Sequence, residues 1–492
     1  MTRSFKDGGT KANAALPPPQ VRQLQAALVA LGATLTAAVP ALTVQGSRFI
    51  NGDTGDEFQV VGMAYQIGGS AGYDPSHGKD PLSNGEVCRR DAALLQVLGV
   101  NTIRVYNLDP DLNHDECASV FNKAGMYMLI DVNSPLVGES INSESPWESY
   151  YAAYLNRTFA IVDNFKNYPN TLGFFSGNEV ISSVEQGGTA PPYIRAVTRD
   201  LKTYIKKHAD RSIPVGYSAA DVRDVLEDSW NYFQCSIEGE DDDISRADMF
   251  ALNSYSWCGN SSFTEAGYDQ LVAMFKTTSV PVFYSEFGCN KPSPRVFTEI
   301  QSIYGSDMMG VFSGGVVYEF AQESNNYGLA TVNDDGSVEL LDDYNTLKEQ
   351  YAQVDWTSVQ GVKSTSTSAT PPTCSSSLIK EDGFSSNFTL PDVPPGAQDI
   401  IDNGVGALVG KIIDIDDYSF SYGIKGADGS TMSIEVSPLS DDSTNVAGSN
   451  NGSSSGTGSS GTNNTENAAF RLGGSAAAVA LPVVLAGFMA TF

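Results

Sequence analysis

The chain is short of histidine and of positive charge. Its 492 residues include three histidines, His77, His114 and His208. That scarcity argues against a histidine-activated nucleophile and against most zinc sites. Lysine and arginine number 29 against 58 acidic residues, a formal net charge of −29. No basic patch is available to a phosphate backbone, so nucleic acid is not expected as a partner. A neutral polymer suits such a surface, and the acidity fits solubility in an acidic or extracellular medium. A nucleotide-binding glycine turn is missing too: after Gln66 the chain reads Ile67-Gly-Gly-Ser70, which lacks the fingerprint of a doubly wound sheet. Gly404-Val-Gly-Ala-Leu-Val-Gly410 looks like such a loop, but it follows a proline-rich linker and reads as a local turn and packing feature. His114-Asp-Glu-Cys117 could be drawn as a metal cluster, yet its spacing matches no established ligand pattern. It reads better as a helix start capped at Asn113 or His114, followed by a structural cysteine. Neither a metal nor a cofactor is expected.

What is present is a core and two carboxylates. A hydrophobic fraction of 41% supports one large domain with appendages. Thr171-Leu-Gly-Phe-Phe-Ser-Gly-Asn-Glu-Val180 and Pro281-Val-Phe-Tyr-Ser-Glu-Phe-Gly288 are apolar, aromatic-rich runs of strand length. Each delivers a glutamate, Glu179 or Glu286, at its C-terminal end. Burying a charge without a partner is costly, so two such residues suggest a pair working on one bond. Cleavage of a glycosidic bond is the reaction that most often needs two carboxyl groups and no cofactor.

Between residues 42 and 350 strand-like and helix-like segments alternate. Strands are expected at Phe58–Gln66, Thr102–Asn107, Tyr127–Val132, Thr171–Val180, Ile213–Ser218, Met249–Trp257, Pro281–Gly288 and Gly314–Phe320. They are short, apolar and weakly alternating, as strands buried on both faces read. Helices are expected at Gly85–Leu98, Trp147–Tyr168, Tyr193–Ala209 and Pro294–Tyr304. Eight such units predict an α/β fold, a (β/α)8 TIM barrel. In that fold the active site lies at the C-terminal strand ends, so Glu179 and Glu286 face one cleft. Other polar groups fall at equivalent heights: Gln66 after strand one, Arg104 and Tyr106 on strand two, Asp131 on strand three, Asn178 beside Glu179, Tyr255 on strand six, and Tyr318 and Glu319 on strand eight.

Both ends read as targeting segments. Leu24–Val39 is uncharged and rich in Ala and Leu, with Arg22 before it and Val39-Pro-Ala41 after it. This is the pattern of a signal peptide over 1–41, a type II membrane anchor being the alternative. Ser/Gly/Asn-rich sequence over 440–467 reads as a stalk. The small residues from Asn467 and the apolar tail to Phe492, 468–492, read as a GPI-anchor signal with Asn467 as attachment site; a true transmembrane helix is the alternative. Secretion suits the six cysteines, Cys88, Cys117, Cys235, Cys258, Cys289 and Cys374, as three disulfides. It also suits five Asn-x-Ser/Thr sites, at Asn156, Asn260, Asn387, Asn451 and Asn463.

The motifs taken together resemble a family. Phe175-Ser-Gly-Asn-Glu-Val180, Tyr284-Ser-Glu-Phe-Gly-Cys-Asn290, Asn101-Thr-Ile-Arg-Val-Tyr106 and His114-Asp-Glu-Cys117 are similar to those of the fungal β-1,3-glucanosyltransferases of glycoside hydrolase family 72. So are Gly62-Met-Ala-Tyr-Gln66, Asn253-Ser-Tyr-Ser-Trp-Cys-Gly259 and Gly315-Val-Val-Tyr-Glu319. The resemblance covers about residues 42 to 375. It implies that Glu179 is the acid/base and Glu286 the nucleophile of a retaining mechanism, with the carboxyl groups ~5–5.5 Å apart. It implies the disulfides Cys88–Cys117, Cys235–Cys374 and Cys258–Cys289, the second pinning a C-terminal extension, 351–439, back onto the barrel. No cysteine follows Cys374, so the cysteine-rich carbohydrate-binding module of longer members is missing.

The implied activity cleaves β-1,3-glucan internally and rejoins the piece to a second β-1,3-glucan, at a membrane surface reached through the GPI anchor or in the cell wall. Gln66, Arg104, Tyr106, Asp131, Asn178, Tyr255, Tyr318 and Tyr327 are the expected substrate-binding residues. Asn178 can bond the sugar 2-hydroxyl and Tyr255 can orient Glu286. Tyr106, Tyr318 and Tyr327 can present aromatic faces to an acceptor sugar before water reacts. A plain retaining endo-β-1,3-glucanase is the alternative, and a non-catalytic wall or adhesion protein a further one.

Overall fold

The computed structural model describes residues 39–239, 242–360, 362, 369–440 and 442–450. Within them eight parallel strands close into a barrel. In chain order these are β1 (Val60–Ala64), β2 (Thr102–Val105), β3 (Tyr127–Asp131), β4 (Thr171–Asn178), β5 (Val215–Ala220), β6 (Met249–Asn253), β7 (Val282–Phe287) and β8 (Phe312–Val317). β8 pairs back onto β1 with Gly314 opposite Val60. Every strand residue is buried except Asn178 at the end of β4. That two-sided burial is why the strands read as apolar runs rather than as alternation. The (β/α)8 barrel is therefore the fold observed.

Alternation along each strand still sorts side chains between the lumen and the helices. Tyr127, Leu129, Phe175, Met249 and Phe283 fill the lumen. A three-stranded antiparallel sheet, Leu42–Gln45, Arg48–Asn51 and Glu57–Phe58, closes its lower end. Phe49 packs edge-on against Phe283 at 5.8 Å and Phe58 against Tyr127 at 5.0 Å between ring centroids. The same period turns Asp131 inward above Leu129. Ala64, Arg104 and Leu129 are register neighbours, so Arg104 also enters the lumen, on top of this apolar plug.

The helix Gly85–Leu98 spans the expected residues. Asn84 caps it by accepting from the Glu86 and Val87 amides, and Gly99 ends it at φ 83°, a value that favours glycine. Tyr193–Ala209 is found as Pro191–His208. Two expectations change. Trp147–Tyr168 is broken into Pro146–Ser149 and Ala152–Phe165, because Tyr150 turns inward to donate to Asp200. Pro294–Tyr304 contracts to Glu299–Ile303, because Phe297 takes φ 49°, outside the helical region, while Asp343 holds Arg295 through both its amide and Nε.

The disulfides are Cys88–Cys117, Cys235–Cys374 and Cys258–Cys289. Beyond Cys374 the chain crosses the outside of the barrel with little regular structure apart from a 3-10 turn at Ser376–Leu378, the helix Ala397–Asn403 and the short strands Ile424–Lys425 and Thr431–Met432, which extend the hairpin Ala330–Val332 and Val338–Leu340 into a four-stranded sheet. Side chains of the barrel helices hold its backbone: the amides of Lys411, Ile413 and Ser437 donate to Asp115, Ser119 and Gln96. Gly410 lies so close to the Asn164 carbonyl that a Cβ would meet it at 2.2 Å. Residues 442–450, expected inside the stalk, are packed. Asn445 is fully buried and its amide donates to the Gln96 and Val100 carbonyls. Val39 and Pro40, expected to leave with the signal peptide, are also packed: the Val39 amide donates to Asn122 and the Tyr127 hydroxyl to the Pro40 carbonyl. Both contacts lie at the lower ends of β2 and β3, so the described chain starts and stops on the barrel floor. The rest of the expected signal peptide, the stalk beyond 450 with Asn451 and Asn463, and the GPI signal with Asn467 lie outside the described residues. Among the described residues no helix is long and apolar enough to cross a membrane.

Candidate active site

Polar groups at or just past the strand ends ring one cleft at the upper end of the barrel, where this fold places its chemistry. Glu179 directly follows β4, and Glu286 is the penultimate residue of β7. In both places the ladder slips: between Phe175 and Asn178 against β5, and between Tyr284 and Glu286 against β6. Such irregularities re-aim the next side chain. Glu179 also holds φ at 50°, a left-handed value that costs about 1–3 kcal/mol in a non-glycine residue and gathers at functional sites. The cleft has a volume of about 560 Å³, and Gln66, Tyr106, Asp131, Asn178, Tyr318 and both glutamates line it.

Arg104 organises the floor of this cleft. Its side chain is wholly buried. Nε and Nη2 grip Asp131 at 2.9 and 3.1 Å, and Nη2 also donates to Asn178 Oδ1 at 2.9 Å. Nη1 reaches Glu286 Oε1 and Asn253 Oδ1, each at 3.3 Å. The guanidinium lies 4.5 Å from the Tyr106 ring and 4.7 Å from Phe175. Only a planar fork can serve so many acceptors between two rings. Burial opposes its charge, but Asp131, Tyr106 and Glu286 hold Arg104 above its ordinary pKa.

The two glutamates have unequal surroundings. Glu286 is buried, and three donors converge on it: Tyr255 OH on Oε2 at 2.7 Å, with Tyr106 OH at 3.1 Å and Arg104 on Oε1. Burial pushes its carboxyl up to about 7, while Arg104 and the tyrosine hydroxyls draw it down. Burial, reinforced by Glu286, keeps the Tyr106 and Tyr255 hydroxyls protonated and donating. Glu179 is exposed to the cleft, and one amide touches its carboxyl, Asn253 Nδ2 on Oε1 at 2.9 Å. Glu179, Asn253, Arg104 and Glu286 thus form one continuous chain of contacts.

Asn178 is oriented by the same network. Its Oδ1 accepts from Arg104, from Ser218 at 2.8 Å and from Asn253 at 3.1 Å. That leaves its NH2 facing the cleft as a donor. Gln66 is set similarly: its Oε1 accepts from the Asn107 amide at 3.1 Å, while its buried Nε2 has no partner. A buried unpaired donor at a cleft wall is the mark of a group completed by a ligand.

Four tyrosines form a continuous aromatic cluster. Tyr318 packs edge-on against Tyr106, Tyr255 and Tyr327, at 6.4, 6.3 and 5.4 Å between ring centroids. Tyr255 and Tyr327 also meet each other, at 5.4 Å between ring centroids. Tyr106, Tyr255 and Tyr318 were expected on strands two, six and eight. All three lie just past strand ends, since β2 stops at Val105, β6 at Asn253 and β8 at Val317. Sequence reasoning overlooked Asn253 as a site residue, although it ends an apolar run as Glu179 does. Glu319 is a fourth cleft carboxyl, almost fully buried, accepting from Asn325 at 2.9 Å and pushed up to about 7 by that burial. His114 lies elsewhere, in contact with Asp80 at 2.6 Å and Asn164 at 2.8 Å, while Cys117 is in a disulfide. That motif is structural. Asn156, Asn260 and Asn387 are exposed.

Comparison with known proteins gives concordant results. A family model described as glucanosyltransferase matches residues 31–355. The 1,3-beta-glucanosyltransferase gel2 of Aspergillus fumigatus is 49% identical over 432 residues, 87% of this chain and 89% of that protein. The probable 1,3-beta-glucanosyltransferase GAS3 of Saccharomyces cerevisiae is 46% identical over 437 residues, covering 84% and 82%. Among solved structures, a glutamate-to-glutamine variant of Saccharomyces cerevisiae Gas2p in complex with laminaritetraose and laminaripentaose aligns with a TM-score of 0.64. It is 34% identical and covers 73% of this chain and 76% of that one.

Proposed function

The chain belongs to the glucanosyltransferases of glycoside hydrolase family 72, and on that premise we propose that Glu286 is the nucleophile and Glu179 the acid/base of its reaction. The enzyme is a 1,3-β-glucanosyltransferase. It cleaves β-1,3-glucan internally and transfers the new end to another β-1,3-glucan. The observation that carries the role assignment is the inequality of the two carboxyls. Glu286 sits buried under three donors, which steady an anion and aim it. Glu179 is open to the cleft and held by one amide, free to exchange a proton with a departing or arriving sugar oxygen.

In the first step a Glu286 carboxylate oxygen attacks the anomeric carbon. The glycosidic C–O bond breaks, and the Glu179 carboxyl gives its proton to the leaving oxygen. A glucosyl ester of Glu286 forms and the reducing-end fragment departs. In the second step an acceptor hydroxyl gives its proton to Glu179 and attacks the same carbon, and Glu286 leaves as a carboxylate. Two inversions retain the β configuration. The Asn178 NH2 and the Gln66 Nε2 supply donors to sugar hydroxyls. Tyr106 and Tyr318, buttressed by Tyr255 and Tyr327, offer the aromatic faces on which an acceptor glucan competes with water. A secreted or cell-surface enzyme held by a GPI anchor at Asn467, acting on wall glucan, suits the sequence of both ends.

One assay tests the reading. A single laminari-oligosaccharide is incubated with the enzyme and its products are sized. Chains longer than the substrate are expected from wild type and none from Glu286→Gln. Shorter products alone would mean a hydrolase.

A further inference from the structure

The chain between β3 and the helix Ala152–Phe165 presents apolar side chains to solvent beside the cleft. Among the described residues, four of the seven exposed large hydrophobic side chains fall here: Leu136, Val137, Trp147 and Tyr151. Val137 is fully exposed and Trp147 is 55% exposed. Scattered exposed apolar residues need no explanation, but a cluster marks a binding surface.

This cluster does not come from a loose loop. Glu139 accepts from the Ser134 hydroxyl, from Arg157 Nε at 2.6 Å and from Tyr73 OH at 3.1 Å. The Ser134 amide donates to the Glu139 carbonyl and the Glu139 amide to the Leu136 carbonyl, closing a tight turn. That turn is pinned at its base and thrusts Leu136 and Val137 outward. The Tyr151 hydroxyl meets the Gly138 carbonyl at 3.4 Å, which joins the turn to the short helix carrying Trp147, Pro146–Ser149. The surface is continuous with the catalytic cleft, because Pro135, Ile141 and Ser143 of the same segment line it.

We propose that this rim is an outlying glucan subsite, in which Trp147 and Tyr151, with Leu136 and Val137, carry the apolar faces of sugar units beyond those held in the central cleft. It rests on the glucanosyltransferase reading above. A neutral polymer with alternating hydroxyl edges and apolar faces matches flat aromatic and aliphatic groups interspersed with the exposed carboxylates of Glu144 and Glu148, which can accept from sugar hydroxyls. Continuity with the cleft selects the same polymer over an unrelated partner. The gain is expected with long glucan, which alone can reach both the carboxylates and the rim.

The test uses the full chain with Trp147→Ala, Val137→Ser, the double variant and Trp147→Phe. KM is measured for a short laminari-oligosaccharide and for a long soluble β-1,3-glucan. Adsorption to insoluble β-1,3-glucan is measured in a Glu286→Gln background, where turnover cannot interfere. Wild type is expected to favour the long substrate. The double variant is expected to lose that preference by roughly two- to tenfold and to adsorb more weakly, and Trp147→Phe is expected to restore most of it. An unaltered preference, or an equal loss on short and long substrates, overturns the proposal. So does adsorption to phosphatidylcholine vesicles that depends on Trp147 while glucan adsorption does not. If wild type makes no longer products but glucan adsorption still depends on Trp147, the transfer reading fails and the surface stands.

Discussion

Tyr255→Phe isolates the device that keeps Glu286, the proposed nucleophile, ionised. The substitution removes one oxygen and leaves the ring that packs against Tyr318 and Tyr327. The lost bond is the shortest made by the Glu286 carboxyl, 2.7 Å to Oε2; the other two donors, at 3.1 and 3.3 Å, are both on Oε1. A hydrogen bond to a charged group contributes about 1.5–3 kcal/mol, and one pKa unit corresponds to about 1.4 kcal/mol. The bond stabilises the carboxylate over the acid. Its removal therefore raises the pKa of Glu286, already pushed up to about 7 by burial, by roughly one to two further units. In the proposed mechanism only ionised Glu286 attacks, so the acid limb of kcat/KM for transfer should move to higher pH by that amount. Activity well below the limb should fall about 10- to 100-fold, with a smaller loss on the plateau. Tyr106→Phe should move the limb less, since Arg104 still serves Oε1. The assay is product sizing across pH at low substrate, with thermal unfolding as a control for folding. A limb that stays in place, or moves to lower pH, would refute the account of Glu286 as an anion held by Tyr255.

Three other outcomes are expected. Glu286→Gln should abolish transfer yet stabilise the fold: the folded pKa of Glu286 is raised, so its contribution to stability is full below the unfolded value near 4.5 and is lost as pH rises through about 7. The variant's advantage in calorimetry should thus be greatest above pH 7, on the order of 3 kcal/mol at most, and fade toward pH 4. Asn253→Ala removes the amide that holds both Asn178 and Glu179; kcat should drop roughly 10- to 100-fold with little change in KM, and an unchanged kcat would remove Asn253 from the machinery. Tyr318→Ala should raise the ratio of hydrolysis to transfer, read from the same product sizing, and an unchanged ratio would rule out the aromatic acceptor surface.

The barrel was legible because burial on both strand faces leaves a continuous apolar signature that needs no partner to be recognised. Glu179 and Glu286 were legible because a charge closing such a run has to be compensated. What escaped lies where local pattern and tertiary contact part company. Tyr106, Tyr255 and Tyr318 extend apolar runs, so they read as strand residues; the strands in fact end earlier, and these side chains turn over the cleft. Asn253 closes its run as a neutral amide, a weaker signal than a carboxylate, although its two-sided chemistry joins Glu179 to Arg104. Breaks at Tyr150 and Phe297 are set by distant partners, Asp200 and Asp343. The extension after Cys374 was opaque for a related reason. Side chains of the barrel helices satisfy part of its backbone, so little helical or strand period is written into it.

The packing of Val39 and Asn445 under the barrel has a mechanical consequence. Entry and exit of the described chain share one face, and the carboxylates open on the opposite one. Whatever restrains the polypeptide beyond residue 450 pulls on the floor. An enzyme tethered to a membrane in this way would stand with its mouth outward, toward polymer arriving from outside. Load on the tether would pass into the contacts of Asn450 with Gln96 and Glu435 and then into those of Asn445 with Gln96 and Val100, on the far side of the barrel from the reacting bond.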